Sequence, residues 1–182
     1  MKDRNTIIVR ELAESDIVHI ANYWLNSDQD FLLGMGVDPN KLPSGEELTK
    51  MLTNQIRLPY KEKSSLALIA EINGEPLGHC NVNELTFGLE AKMHLHLWNK
   101  NHREKGLGTE MVLQSLPIFF DRLKLKTIWC EPYVENPAPN KTLKKIGFEF
   151  VKKYLTVPGL LNFEQEVNRY KLTKEKFEEI ND

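Results

Sequence analysis

Long apolar runs are missing from this sequence. The longest, residues 66–70, has five members, far short of the roughly 20 that a membrane-crossing helix requires. The opening residues hold no apolar signal core, so no export is expected and a cytoplasmic location is the default expectation. Cysteine is scarce: the two in 182 residues, Cys80 and Cys130, lie too far apart to form a metal knuckle and read as reduced core thiols. Charge of one sign does not dominate either. The 24 Lys+Arg and 26 Asp+Glu leave a formal charge of −2, unlike the basic profile of a nucleic-acid-coating protein. Repeats, low-complexity tracts and linkers are absent too. What is there, 41% hydrophobic and 27% charged residues, fits one globular domain over residues 1–182.

Patterning predicts a mixed chain. A β-branched stretch at 6–12 reads as a first strand, and Ser15-Asp16 caps an amphipathic helix carrying Ile17, Ile20, Ala21 and Trp24. Residues 26–44 read as a loop, although Phe31, Leu32, Leu33 and Met35 are unusually apolar for one; a second helix runs from Ser44 to about Leu58. A meander follows, with strands at 65–72, 76–82 and 91–98 and a tight turn at Asn73-Gly74. A long helix is predicted over 106–123, interrupted chemically by Pro117, whose nitrogen cannot donate to Leu113. A strand at 127–134, a helix at 139–146 closed by Gly147, and strands at 148–156 and 164–172 complete the chain. The run at 171–176 reads as a solvated tail. The order is β-α-α-β-β-β-α-β-α-β-β, an α/β (α+β) arrangement.

The segment Arg103-Glu104-Lys105-Gly106-Leu107-Gly108-Thr109 stands between a strand and a helix. Glycines there let the backbone approach a ligand closely, and the first helical amides favour a phosphate. No Gly-Lys-Ser/Thr follows, which excludes a Walker loop, and Met111 stands where a dinucleotide fingerprint would place its third glycine. The segment resembles the Arg/Gln-x-x-Gly-x-Gly/Ala signature of the GNAT superfamily of acetyl-CoA-dependent N-acetyltransferases. A second stretch, Ile128-Trp129-Cys130-Glu131-Pro132-Tyr133-Val134-Glu135-Asn136 with Gly147-Phe148 beyond it, is similar to that family's next strand, Asn-headed helix and closing Gly-Phe. Eleven residues separate Asn136 from Gly147 and thirty-three separate Arg103 from Asn136, both in keeping with the family. The opening Arg10-Glu11-Leu12 with Asp16, and the Trp24 helix, resemble the ribosomal-protein N-acetyltransferase branch.

The resemblance implies a GNAT-like, mostly antiparallel sheet flanked by helices, and acetyl-CoA as cosubstrate with an amine acceptor. No metal is expected; the charge balance and short apolar runs argue against nucleic-acid and membrane partners, and the family allows a homodimer. Backbone amides at Glu104, Lys105, Gly106, Leu107, Gly108 and Thr109 would hold the diphosphate, with Arg103 at the head of the loop. The strand end, His96, Leu97 and Trp98, would pair with the pantetheine arm, a Leu97 or Trp98 amide would meet the oxyanion, and Asn136 would contact the coenzyme. Asn140 is a nearby candidate without a family counterpart.

For chemistry, Glu131 matches a catalytic glutamate of the ribosomal-protein branch. Trp129 and Cys130 beside it suggest a raised pKa suited to a general base; the alternative is a glutamate paired with a lysine or bonded to nearby backbone. The family's acid tyrosine falls at Leu143, which donates nothing, and Tyr133 is the substitute unless the thiolate leaves unaided. His94 and His96 share a strand face. The readings are a satisfied half-buried histidine at His94, a His96 proton relay, a pair lining the acceptor pocket, or, with His79, a metal site. Asp28, Asp30 and Asp38 either attract a cationic amine or serve an ordinary surface loop. Two rival functions remain at this stage: a non-catalytic acyl-CoA-binding module on the same scaffold, and a histidine-based metal-binding protein.

Overall fold

The computed structural model describes residues 6–99 and 106–181. Seven strands form one sheet: β1 (Ile8–Glu11), β2 (Leu66–Ile72), β3 (Glu75–Thr86), β4 (Glu90–Leu97), β5 (Thr127–Cys130), β6 (Glu149–Thr156) and β7 (Gln165–Thr173). Their spatial order is β1-β2-β3-β4-β5-β7-β6, antiparallel throughout except for the parallel pair β4 and β5. Six helices accompany them: α1 (Ile17–Leu25), α2 (Gln29–Gly34), α3 (Gly45–Arg57), α4 (Leu107–Arg122), α5 (Pro137–Ile146) and α6 (Lys174–Asn181). The expected mixed, mostly antiparallel sheet flanked by helices is present.

Local chemistry explains most boundaries. Asn73 and Gly74 take φ values of 53° and 79°, the left-handed pair that joins β2 to β3 without splaying them. Ser44 and Glu47 cap α3 reciprocally, Glu47 N donating to Ser44 Oγ at 3.2 Å and Ser44 N to Glu47 Oε2 at 2.8 Å.

Three expectations are corrected. Part of the predicted loop at 26–44 is helical, because Asp28 Oδ1 accepts from Phe31 N at 2.8 Å and starts α2, which buries Leu32. The predicted tail is β7 and then α6, anchored by Phe177 stacking on Phe120 at 5.4 Å. Finally, β5 ends at Cys130 rather than at Val134. Pro132 has no N–H to offer, and the chain peels away from β4 to follow β7, with Asn168 N donating to Pro132 O at 3.1 Å and Val134 N to Glu166 O at 3.0 Å.

The sheet is covered on both faces. Met111, Val112, Leu116 and Phe119 of α4 are fully buried in a core with Leu68, Cys80, Val82, Met93 and Ile128. On the opposite face Ile17 and Ile20 of α1 and Leu48 and Leu52 of α3 enclose Ile69. The segment after α2 is tied to the β6–β7 connection by the Val37–Asn162 bridge and by Asp38 N donating to Leu161 O at 2.8 Å.

One irregularity decides where a ligand can lie. β4 and β5 pair only through Glu90–Thr127, Ala91–Ile128 and Lys92–Trp129. Beyond Lys92, β4 runs on to Leu97 while β5 turns off, so the two strands splay.

Candidate active site

The splay opens toward the start of α4. Gly106 has φ +81°, a left-handed conformation that glycine adopts without strain, and no atom lies within 4 Å of where its Cβ would stand. Gly108 in the first turn has only Leu97 Cδ1 near its Cβ position, at 3.6 Å. Neither glycine is therefore demanded by crowding, and the first turn of α4 presents an open backbone surface. The first intrahelical bond there is Glu110 N to Gly106 O at 3.1 Å, so the amides before it have no acceptor within the helix. Arg103, Glu104 and Lys105 lie outside the described residues.

Along β4 the groups alternate. Trp98 N donates to Leu77 O at 3.0 Å, so of the two amides considered for the oxyanion, that of Trp98 is committed to β3. Alternation turns the main-chain groups of Leu95 and Leu97 toward the β5 side, into the splay. Trp98's indole donates to His79 Nδ1 at 2.7 Å and its ring stacks on His19. Asn136 precedes α5 as its cap residue and makes no side-chain cap bond to that helix. Asn140, by contrast, is buried and satisfied on every side. Its Nδ2 donates to Tyr133 O (3.0 Å) and Asn136 O (2.8 Å), and its Oδ1 accepts from Asn168 Nδ2 (2.8 Å) and Tyr170 Oη (3.2 Å). It is a structural pin, not a ligand contact.

Glu131 stands just past the last β4–β5 pair, its side chain 4% exposed. Lys92 Nζ meets its Oε2 at 2.9 Å, Arg169 Nη1 lies 3.6 Å from its Oε1, and Tyr154 Oη donates to the same Oε1. Burial alone would raise its pKa, but Tyr154, Lys92 and Arg169 outweigh burial and hold it below the usual carboxylate value. The raised pKa expected from Trp129 and Cys130 is thus reversed, and the lysine-paired alternative describes the contacts. Lys92 is equally engaged, its ammonium also donating to Glu84 Oε1 and Pro158 O, both at 2.9 Å. Arg169 lies over the Trp129 ring, 4.1 Å from its centroid, and Trp129 Nε1 donates to Glu90 Oε2 at 2.7 Å.

Tyr133 bridges to Val167 and packs edge-on against Phe163 at 5.8 Å. Its hydroxyl has no hydrogen-bond partner among the described residues. Leu143 is fully buried in the core, so no substitute donor enters from α5 at that position. His96 stacks on His79 at 4.6 Å, with its Nδ1 3.1 Å from Tyr23 Oη. Burial pushes His79 down to about 3 and His94 to about 4, the latter helped by the Lys92 ammonium. His94 Nε2 sits 3.0 Å from Asn83 Oδ1. Among the described residues no group of three His, Cys, Asp or Glu is placed to hold a metal ion. Asp28 and Asp38 are occupied as caps for backbone N–H groups.

Sequence reasoning missed Lys92, Tyr154 and Arg169. Lys92 was legible, since period-two alternation puts it on the face of His94 and His96. Tyr154 and Arg169 carry no local signal, because only the pairing of β7 with β5 and β6 brings them to Glu131.

Comparison with known proteins fits this geometry. The family model of the acetyltransferase (GNAT) domain matches residues 6–149. Among solved structures, the spermidine N-acetyltransferase of Vibrio cholerae, in complex with CoA and spermine, superposes with TM-score 0.76 at 20% identity, covering 94% of this chain and 98% of that one. RimL, a ribosomal-protein α-N-acetyltransferase in complex with coenzyme A, gives 0.76 at 17% identity, covering 94% and 96%. An uncharacterized protein from Bacillus halodurans gives 0.69 at 16%, covering 96% and 87%. No curated protein matches the chain. Likeness at such low identity speaks for the fold alone; the family rests on the model match, which spans well over half the chain, and by it this protein belongs to the GNAT acetyltransferase family.

Proposed function

We propose that the protein moves the acetyl group of acetyl-CoA to a primary amine, either a protein N-terminus or a small-molecule amine. Attack is direct, residues 1–182 act as one acetyltransferase domain, and Glu131 takes the proton. The observation that carries this reading is the splay of β4 from β5, which has Glu131 at its vertex and the glycine-started helix α4 at its mouth. Both CoA-bound neighbours are N-acetyltransferases, which supports the donor. No helix among the described residues is long and apolar enough to cross a membrane; a cytoplasmic site of action belongs to this reading.

The residues fit the donor. Amides of Gly106, Leu107, Gly108 and Thr109, with the helix dipole behind them, suit a diphosphate. Arg103, Glu104 and Lys105 complete that loop in the proposal. In this proposal the edge of β4 that β5 leaves, from His96 to Trp98, and the amide of Asn136 receive an extended amide-bearing arm, and a main-chain N–H on that edge meets the carbonyl oxygen as it gains charge. The donor supplies a thioester, already activated toward amines.

An alkylammonium does not attack; its neutral form does. Once the new N–C bond forms, the nitrogen becomes cationic and far more acidic than the free ammonium. A carboxylate held ionised, as Glu131 is, can then accept the proton. The thiolate departs unaided or with a proton from Tyr133, and His96, beside Tyr23 on the same sheet face as Lys92, serves as a relay to the acceptor side. Incubation with acetyl-CoA and a panel of peptides, monoamines and polyamines, followed by thiol release, tests the whole reading. Coenzyme binding without turnover on any acceptor would instead mark a non-catalytic acyl-CoA-binding module.

A further inference from the structure

Three strands grip the carboxylate of Glu131: Lys92 on β4 at Oε2, and Tyr154 on β6 and Arg169 on β7 at Oε1. We propose that Tyr154 is a positioning residue for acetyl transfer: its phenol holds Glu131 in the one orientation and charge state from which it receives the amine proton. The inference rests on the role given to Glu131 above and adds a residue that the family signature does not supply.

A carboxylate offers about four acceptor positions, and the three donors leave room for one more hydrogen bond, donated by the substrate amine. The two cations are themselves tethered. Lys92 is divided among Glu131, Glu84 and Pro158 O, and Arg169 is stacked on Trp129. Tyr154 is the neutral partner, held from outside by Lys152, whose Nζ lies 4.3 Å from the ring centroid. This difference matters at the moment of transfer. When a proton reaches Glu131, its attraction to Lys92 and Arg169 falls, but a phenol can keep its hydrogen bond to a carboxylic acid. The Tyr154 contact therefore keeps the side chain aimed in both states. Two further titratable groups feel Glu131: His94 on β4, held neutral by burial, and the thiol of Cys130, buried in the core beneath α4.

Tyr154→Phe removes the hydroxyl and keeps the ring. We expect coenzyme affinity by calorimetry to stay within about twofold and kcat to fall roughly tenfold. The acid limb of kcat/KM should move up by about one pH unit, since a donor to the charged form is lost. Replacing Tyr154 with 3-fluorotyrosine, a stronger donor of the same shape, should move that limb down. A ¹³C-carboxyl titration of Glu131 should follow both shifts without requiring turnover. An unmoved limb and an unmoved Glu131 titration in both variants would overturn the inference. If Glu131→Gln keeps full activity, the parent reading fails; if Glu131→Gln is slow while Tyr154→Phe is indistinguishable from wild type, only this inference fails.

Discussion

At the scale of single residues, His79 and His94 carry a cost that depends on pH. Both are held neutral by burial, at about 3 and about 4 respectively, well below the ordinary histidine value. A folded pKa below the unfolded one means that the unfolded chain binds protons first as pH falls. Their contribution to stability is complete above pH ~6.5 and is lost toward the folded values, at up to roughly 1.4 kcal/mol per pH unit for each. The melting temperature should therefore fall between pH 7 and pH 5, before the carboxylates held low, Asp16 by Arg10 and Glu131 by its three partners, begin to protonate. His94→Gln should flatten that decline; an unchanged slope would exclude His94 as its source. Glu131 answers to a different assay. Glu131→Gln should lower kcat/KM about 100-fold with coenzyme affinity nearly intact, and an activity equal to wild type would remove it from the proton path. Arg10 shows how a family-like residue can be purely structural. Its guanidinium binds Asp16 at 2.6 Å and Glu71 at 2.8 Å, so the opening pattern that resembles the ribosomal-protein branch ties β1 to β2 and to the start of α1.

Among the elements, two glycines separate packing from binding. A Cβ at Gly78 would lie 2.5 Å from the carbonyl oxygen of His96 and 3.3 Å from Leu97 Cα, inside the β3–β4 ladder. Gly78→Ala should cost about 2 kcal/mol or more of stability in a denaturant titration, and it should disturb His96 as well. At Gly108 the first added carbon meets only ordinary contact with Leu97. Gly108→Trp should leave the melting temperature nearly unchanged while abolishing coenzyme binding; retained affinity would refute the assignment of the α4 turn. Elements whose limits rest on short-range chemistry were readable from sequence: the Asn73-Gly74 turn, the Ser44 cap of α3 and the Gly147 stop of α5, with φ +106°. Helix α2 was not, because six residues are too few to show a period, and only Leu32 is buried. The end of β5 was hidden for another reason, since which strand the chain follows after Cys130 depends on β7, thirty-five residues and more downstream.

For the molecule as a whole, the loop proposed for the coenzyme is a run of consecutive residues, so a motif can propose it directly. The Glu131 cluster carries no such run, because Lys92, Tyr154 and Arg169 come from three strands and meet Glu131, the residue after β5, only once the sheet is assembled. Among the described residues, three strand pairs join β4 to β5, backed by the Lys92 contacts to Glu131 and Pro158 O, the Val37–Asn162 bridge and helix packing. Such a seam is a natural place for sub-global opening. An extended molecule bridging β4 and the 131–136 segment would act as mortar between the two sections. Saturating coenzyme, at a hundred times its dissociation constant, should stabilise the fold by about 2.7 kcal/mol. Amide exchange should slow along both banks of the gap together, at Leu95 and at Val134, while the far β1–β2 margin keeps its own rate. The parting of two strands would then be at once the berth for the donor and the line along which the empty protein comes apart.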